Sequence, residues 1–400
     1  METLEKVAQW DNDYYMNCFG QRVPVCFTHG KGVYLYSTED KKYMDMIGGI
    51  AVNALGHGNL KLTFAIAKQA KNMIHCSNYY YIESQAKLAK ELCEKTFADK
   101  AFFCNSGAEA NEGAIKLARG YWYKKGTPKP KIITAQMSFH GRTMATIAAT
   151  GQEKFRTPFA PATPGFDYVP FNDIEALKKA VDAETGAVML ELIQGESGVW
   201  PADFDYIQDV AKLCKEKKML LIIDEVQTGV GRTGTLYCYQ QYGITPDILT
   251  SAKALAGGVP IGAVLATKEA ATGFAPGDHG STFGGNPLAT AAALTVLQEI
   301  EDRGLLDKAK STSEFLFKKL NGVAKKTKKI SSVRGKGLLI GIELTDNNAA
   351  EMKHKLFDKG FLVSAIGTNV IRIAPPLIIT KSQASAFVKA LADCLTGKDD

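Results

Sequence analysis

Lys253 lies in 250-TSAKALAGG-258, just past an apolar run and among Ser251, Ala252, Ala254 and Leu255. A surface lysine is the ordinary reading. Small apolar neighbours, however, disfavour the ammonium, lower its pKa and leave a nucleophilic amine. Asp224 ends 219-MLLIID-224, the most hydrophobic run of the chain. As a cap or loop acid it needs nothing further, but at the end of a buried strand its desolvation calls for a positive group opposite. The following Gly229, Gly231 and Gly234 spell G-x-G-x-x-G. A dinucleotide-binding turn puts its first glycine directly at the strand end, where Asp224 and Glu225 would here repel a phosphate. The glycine string is therefore predicted to be a loop.

Two more stretches follow apolar runs. In 105-NSGAEANEG-113, Ser106 and Glu109 have the spacing of a helix capping box. The same start offers the N–H groups of Ser106, Gly107 and Ala108 to an anion at the positive end of a helix. In 138-SFHGRT-143, Phe139 reads as core or as cover for a flat ring, and Arg142 as a surface arginine or a fork for a carboxylate. The six histidines show no ligand spacing, so no metal site is expected. One chemistry uses all four stretches. Pyridoxal 5'-phosphate needs a lysine to bond, an anion to keep its ring nitrogen protonated, an aromatic against the ring and a helix N-terminus for the phosphate. Asp224 is then expected to face a pyridinium nitrogen.

The elements that must position these residues are legible as patterns. Apolar runs at 101–105, 131–135, 187–191, 219–224, 247–251 and 260–266 alternate with amphipathic helical stretches. This predicts an α/β fold, a mostly parallel sheet covered by helices, with ligands gathered at the carboxyl ends of the strands. Residues 32–46 read as a hairpin and 157–165 as a Pro-rich surface loop. After a long helix at 288–304, strands at 338–344, 361–365 and 370–376 and a last helix form a smaller α+β unit, on which the hairpin is expected to pack. The expected division is an N-terminal segment 1–58, a large domain 59–295 and a small domain 296–400.

Composition narrows the classes. The net charge of +6 is scattered, and the basic runs at 124–131 and 325–329 lack interleaved aromatics, which argues against nucleic acid and suits anionic small substrates. Eight dispersed cysteines with no C-x-x-C pair indicate thiols in a reducing compartment. Neither a secretory signal nor a membrane span is read, so a cytoplasmic protein is expected.

The motifs NSGAEAN, SFHGRT, ELIQGESGV, IIDEVQTGVGRTG, SAKALAGGVPIGA and HGSTFGGNPLA, in this order, resemble the class III (subgroup II) aminotransferases of fold type I. The resemblance runs from about residue 15 to the C-terminus. It implies that Lys253 bonds the cofactor, Asp224 partners its ring nitrogen, Gln227 meets the ring hydroxyl and Phe139 stacks on the ring. Ser106, Gly107 and Ala108 hold the phosphate. Thr282 reaches the phosphate in the other subunit, with Ser281 beside the substrate, which implies a homodimer with shared active sites. Arg142 holds a substrate carboxylate. Glu196 and Arg372 form a switch: the glutamate covers the arginine while a distal amine reacts, then frees it for the α-carboxylate of glutamate.

The implied reaction moves the δ-amino group of N2-acetyl-L-ornithine to 2-oxoglutarate, a step of arginine biosynthesis. Other ω-amines (succinylornithine, 4-aminobutyrate, ornithine, a lysine-pathway amine) stay open as donors, as does an aminomutase or racemase chemistry. Ile50 stands about where ornithine δ-aminotransferases carry a tyrosine, a departure that counts against free ornithine.

Overall fold

The computed structural model describes residues 2–397. Met1 and residues 398–400, the outer ends of the first and third expected domains, lie outside the described residues. Seven strands make the central sheet: β1 (Lys100–Cys104), β2 (Lys131–Ala135), β3 (Phe166–Val169), β4 (Thr185–Glu191), β5 (Leu220–Asp224), β6 (Ile248–Ser251) and β7 (Gly262–Ala266). Their spatial order is β1-β7-β6-β5-β4-β2-β3, with β7 antiparallel to both of its neighbours and the other pairings parallel. Strand β3, the four residues FDYV behind the Pro-rich loop, is absent from the sequence reading because it is too short to show a pattern.

Both faces of the sheet are covered, which is why these strands read as continuous apolar runs. Alternation divides them. Ile222, Leu220, Met189, Ala187 and Ile132 pack with Ala110, Ala114 and Leu117 of helix α1 (Gly107–Lys124). Ile223, Leu221, Leu190, Val188 and Ile133 belong to the core on the other face. By the same period of two, Asp224 and Glu191 continue the α1 side, and they stand opposite each other in the β4–β5 register. The strand periodicity thus delivers two carboxylates to the start of one helix.

The N-terminal hairpin, Tyr34–Ser37 with Lys42–Asp45, gains a third strand, Phe27–Lys31. Its other edge pairs in parallel with Phe361–Leu362, so the hairpin is joined to the C-terminal part of the chain. The run 361–365, expected as one strand, is split. After Val363 the chain crosses into another sheet, where Ser364–Ile366 pairs with Val370–Ile373, next to Leu339–Leu344 and Ile330–Lys336. Helices Pro287–Asp302, Leu305–Thr327 and Lys381–Thr396 complete this region.

Ile223 is fully buried immediately before Asp224. Ile223→Ala is expected to cost about 2–5 kcal/mol through lost burial and a residual cavity. A lowered chemical-unfolding midpoint, read by far-UV circular dichroism, checks this.

Candidate active site

A chamber of about 380 Å³ opens at the carboxyl ends of β4, β5 and β6. Its wall includes Ser106, Gly107, Ala108, Phe139, Arg142, Glu191, Glu196, Asp224, Gln227 and Lys253. Ten of the twelve residues singled out in the sequence are accounted for by adding Arg372, which hydrogen-bonds Glu196 in that wall, and setting Glu191 aside. The other two, Ser281 and Thr282, lie outside it. Ser281 Oγ accepts from Asn105 Nδ2 at 3.1 Å, at the edge of the site, and Thr282 is exposed.

Helix α1 begins where the sequence predicts. Ser106 is extended and its hydroxyl accepts the N–H of Glu109 at 3.1 Å. The reciprocal half of the capping box differs: Glu109 reaches past Ser106 to the N–H and side-chain amide of Asn105, at 2.7 and 2.9 Å. The N–H groups of Ser106, Gly107 and Ala108 thus keep no partner among the described residues, as an anion site requires. A Cβ on Gly107 would come within 2.6 Å of Val226, so glycine lets α1 approach the loop after Asp224.

Asp224 Oδ2 accepts from Asn111 Nδ2 and His140 Nδ1, both at 2.8 Å, and Oδ1 accepts the Val226 N–H at 3.0 Å. Asn111 lies one turn into α1 on its buried face, and its amide oxygen accepts the Thr250 hydroxyl at 2.7 Å. Asn111 is not singled out by the sequence reading, and His140 carries no role there beyond lacking a metal-spaced partner. A buried asparagine in the apolar stripe of α1 was the available signal for the first. For His140 it was the meeting of two strand ends, which no spacing within one segment reveals. The glycine string is a loop, with Gly231 and Gly234 at φ of +87° and +96°.

Lys253 has φ of +43°, a left-handed conformation that is strained for a residue with a side chain. Burial pushes its ammonium down to about 8, against the partial opposition of Glu196, Asp224 and Glu191. Arg372 Nη1 meets Glu196 Oε1 at 2.6 Å and the Gly195 carbonyl at 3.1 Å. Gln227 Nε2 donates to the same Glu196 oxygen at 3.0 Å. Burial raises the Glu196 carboxyl, yet Arg372 and Lys253 outweigh it and hold the net value below the ordinary one. Arg142 is exposed at the mouth, its guanidinium 4.0 Å from the Phe155 ring and 5.4 Å from Phe139.

The donor set suits pyridoxal phosphate: a buried amine of lowered basicity, an aspartate held by three donors, an aromatic on the wall and a helix start with open N–H groups. Among the described residues no cluster of side chains could hold a metal ion.

Residues 15–395 match the aminotransferase class-III family, and the chain belongs to that family of pyridoxal-phosphate-dependent transferases. The acetylornithine aminotransferase of Caldanaerobacter subterraneus subsp. tengcongensis is 48% identical over 97% of this chain and 98% of its own. That of Methanocaldococcus jannaschii is also 48% identical, over 96% and 97%. Among solved structures, the ornithine aminotransferase of Toxoplasma gondii ME49 superposes with a TM-score of 0.94 at 31% identity, covering 100% of this chain and 96% of that one. The N-acetylornithine aminotransferase of Stenotrophomonas maltophilia K279a gives 0.83 at 34%, covering 96% and 98%. The fold type I, α/β expectation stands.

The loop after Asp224 carries its own titrating group. Glu225 is fully buried and accepts from Thr228 Oγ1 at 2.6 Å and from the N–H groups of Cys238 and Tyr239 at 2.9 and 2.6 Å. Burial outweighs those donors and pushes its carboxyl from 4.5 up to about 7. A raised folded-state value means the protonated acid is favoured by folding. The contribution is complete below 4.5 and is lost as the pH rises through about 7. The melting temperature of Glu225→Gln relative to wild type should therefore rise between about pH 5 and 8, as followed by scanning fluorimetry.

Proposed function

We infer that the protein transfers the δ-amino group of N2-acetyl-L-ornithine to 2-oxoglutarate, giving N-acetylglutamate semialdehyde and glutamate. The observation that carries the reading is the Glu196–Arg372 pair in the same wall as Lys253, and the two acetylornithine aminotransferases at 48% identity support the donor. Such a transfer must handle a substrate that presents no α-carboxylate beside the reacting amine and then one that does. An arginine alternately covered by glutamate and by substrate meets both needs without leaving a buried charge unpaired.

Each residue is proposed for a role. Lys253 bonds the cofactor, and as a free amine of lowered basicity it carries the proton between substrate carbon and cofactor. Asp224, oriented by Asn111 and His140, holds the ring nitrogen's proton. Phe139 covers the ring and Gln227 meets its hydroxyl. Ser106, Gly107 and Ala108 receive the phosphate. Arg142 takes a carboxylate at the chamber mouth. When bound, pyridoxal phosphate would supply an electron sink for the charge left on the substrate carbon that bears the reacting amine, which is the δ-carbon in the donor.

A homodimer is proposed as well. Tyr79, Tyr80, Tyr81, Ile74, Phe64 and Phe283 are all more than half exposed, an apolar surface suited to burial against a second copy. Exposed Thr282 adjoins this surface in sequence and is proposed to reach the partner's cofactor phosphate, with Ser281 beside the substrate. The segments 1–58 and 296–400 are proposed to act as one small domain against 59–295. Among the described residues no helix is long and apolar enough to cross a membrane, and no disulfide is formed. A cytoplasmic location is proposed on the second point.

Lys253→Ala is expected to fold, to lose the cofactor's covalent attachment and to lose nearly all turnover. Borohydride reduction followed by mass spectrometry, with wild-type label on Lys253 as reference, checks this. For the switch, Glu196→Ala should leave Arg372 open to an α-carboxylate throughout. The glutamate half-reaction then keeps or gains efficiency while the acetylornithine half-reaction falls by about tenfold, the order of one charge-assisted contact. Single-turnover rates of the two halves decide it, and equal losses would reduce Glu196 to a structural acid.

A further inference from the structure

Glu191 lines the chamber and has no part in the roles above. It ends β4 directly beside Asp224 in register, on the same face of the sheet. Neighbouring strands lie about 4.8 Å apart, so two carboxylates so placed cannot both be ionised cheaply away from water. The hydrogen bonds separate them. Asp224 collects three donors, from Asn111, His140 and the Val226 N–H, each favouring a carboxylate. Glu191 has one, the Phe139 N–H on Oε2 at 2.9 Å, while Oε1 meets no partner among the described residues. The residue is only 6% exposed.

Other charges around Glu191 do not supply a cation of its own. Glu196 adds a second negative neighbour and is already paired with Arg372. The amine whose charge bears on it is Lys253, the group proposed to bond the cofactor. We propose that Glu191 is a protonated carboxylic acid in the working enzyme, and that its O–H is a hydrogen-bond donor to the ring oxygen of bound pyridoxal phosphate. Burial first, and the charge of Asp224 second, hold its carboxyl well above the ordinary carboxylate range, in agreement with the geometry.

The ring oxygen is the acceptor with capacity for a further donor. The helix start is matched to the phosphate and Asp224 to the ring nitrogen. Gln227 spends one amide N–H on Glu196 at 3.0 Å and its Oε1 accepts from Arg372 at 3.4 Å, so one N–H remains for the ring oxygen, whose lone pairs can take a further donor. A neutral acid beside Asp224 adds a donor without adding a charge that would compete for the pyridinium proton. The Phe139 N–H on Oε2 also ties this acid to the residue proposed to cover the ring. Glu191 would thus fix the ring from one edge and its face-covering residue together.

The proposal rests on the assignments of Asp224 and Lys253 above, which borohydride labelling of Lys253 tests separately. Two variants decide it, with cofactor-free protein titrated with pyridoxal phosphate and the visible absorbance of the loaded enzyme recorded against pH. Glu191→Gln keeps a neutral donor, so its cofactor Kd should stay within about threefold of wild type and its absorbance–pH profile should be unchanged. Glu191→Ala should weaken the cofactor Kd by about tenfold and shift that profile. A glutamine variant as impaired as the alanine one would show that the ionised form is needed and overturns the proposal. An alanine variant indistinguishable from wild type overturns it equally. Should the alanine variant not fold, infrared difference spectra of wild type against Glu191→Gln still decide. A protonated-acid C=O stretch lost in the variant supports the proposal, and a carboxylate band lost in its place refutes it.

Discussion

A carboxylate at the end of a strand buried on both faces is stable only where donors converge on it, and Asp224 sets that condition for this fold. Its strand, LLIID, is buried throughout. Meeting its needs draws an amide from the first turns of α1, an imidazole from the loop after β2 and an N–H from the turn that follows it. Each of those elements is held in turn. Asn111 is fixed by Thr250 on β6, and the His140 N–H by the Thr150 hydroxyl at 3.0 Å. The helix start proposed to hold the phosphate and the aspartate proposed to face the ring nitrogen are therefore parts of one hydrogen-bonded unit. Moving either would break the other.

The Glu196–Arg372 pair performs the equivalent task between the large sheet and the C-terminal strands. Arg372 comes from Val370–Ile373 and its side chain is 5% exposed, against 30% for Glu196. An arginine so deeply placed requires an anion at all times, whereas the more accessible glutamate can tolerate water. That asymmetry agrees with the proposed switch, in which the glutamate is the partner that leaves. Arg142 stands in contrast, exposed and resting on Phe155, and needs no standing counter-ion.

What was legible in the sequence followed from periodicity and from residues at strand ends. Lys253, Asp224 and Ser106 stand out because each interrupts or follows an apolar run, and all six apolar runs between residues 101 and 266 are strands of one sheet. The hidden parts depend on pairing between distant segments. His140 appears isolated in sequence and becomes the partner of Asp224 only across 84 positions. The single run at 361–365 became two strands because its halves join different sheets, a choice made by tertiary packing and not by propensity. Strand Ile330–Lys336 is hidden because its sequence ISSVRGK contains no apolar run. Thr282 lies outside the chamber of a single chain, so the role proposed for it depends on a second copy.

Donor choice is set apart from this shared machinery. A TM-score of 0.94 to an ornithine aminotransferase at 31% identity shows that the frame itself does not select between ornithine and its acylated form. The wall that differs must be local. Ile50 sits in a turn where Gly48, Gly49, Ile50 and Ala51 all have positive φ, a conformation that a β-branched residue adopts only when its surroundings impose it. Asp45 imposes it by accepting the N–H groups of Ile47 and Gly48 at 3.0 and 2.8 Å, while a Cβ on Gly48 would meet the Ala374 carbonyl at 2.8 Å. Ile50 lines a second cavity together with Glu196 and Arg372. An apolar side chain there offers nothing to a charged α-amino group but tolerates one neutralised by acylation. The strained turn thus presents its side chain beside the Glu196–Arg372 pair, two residues beyond the tightly fitted Gly48, and is proposed as a place where donor choice can change without disturbing Asp224.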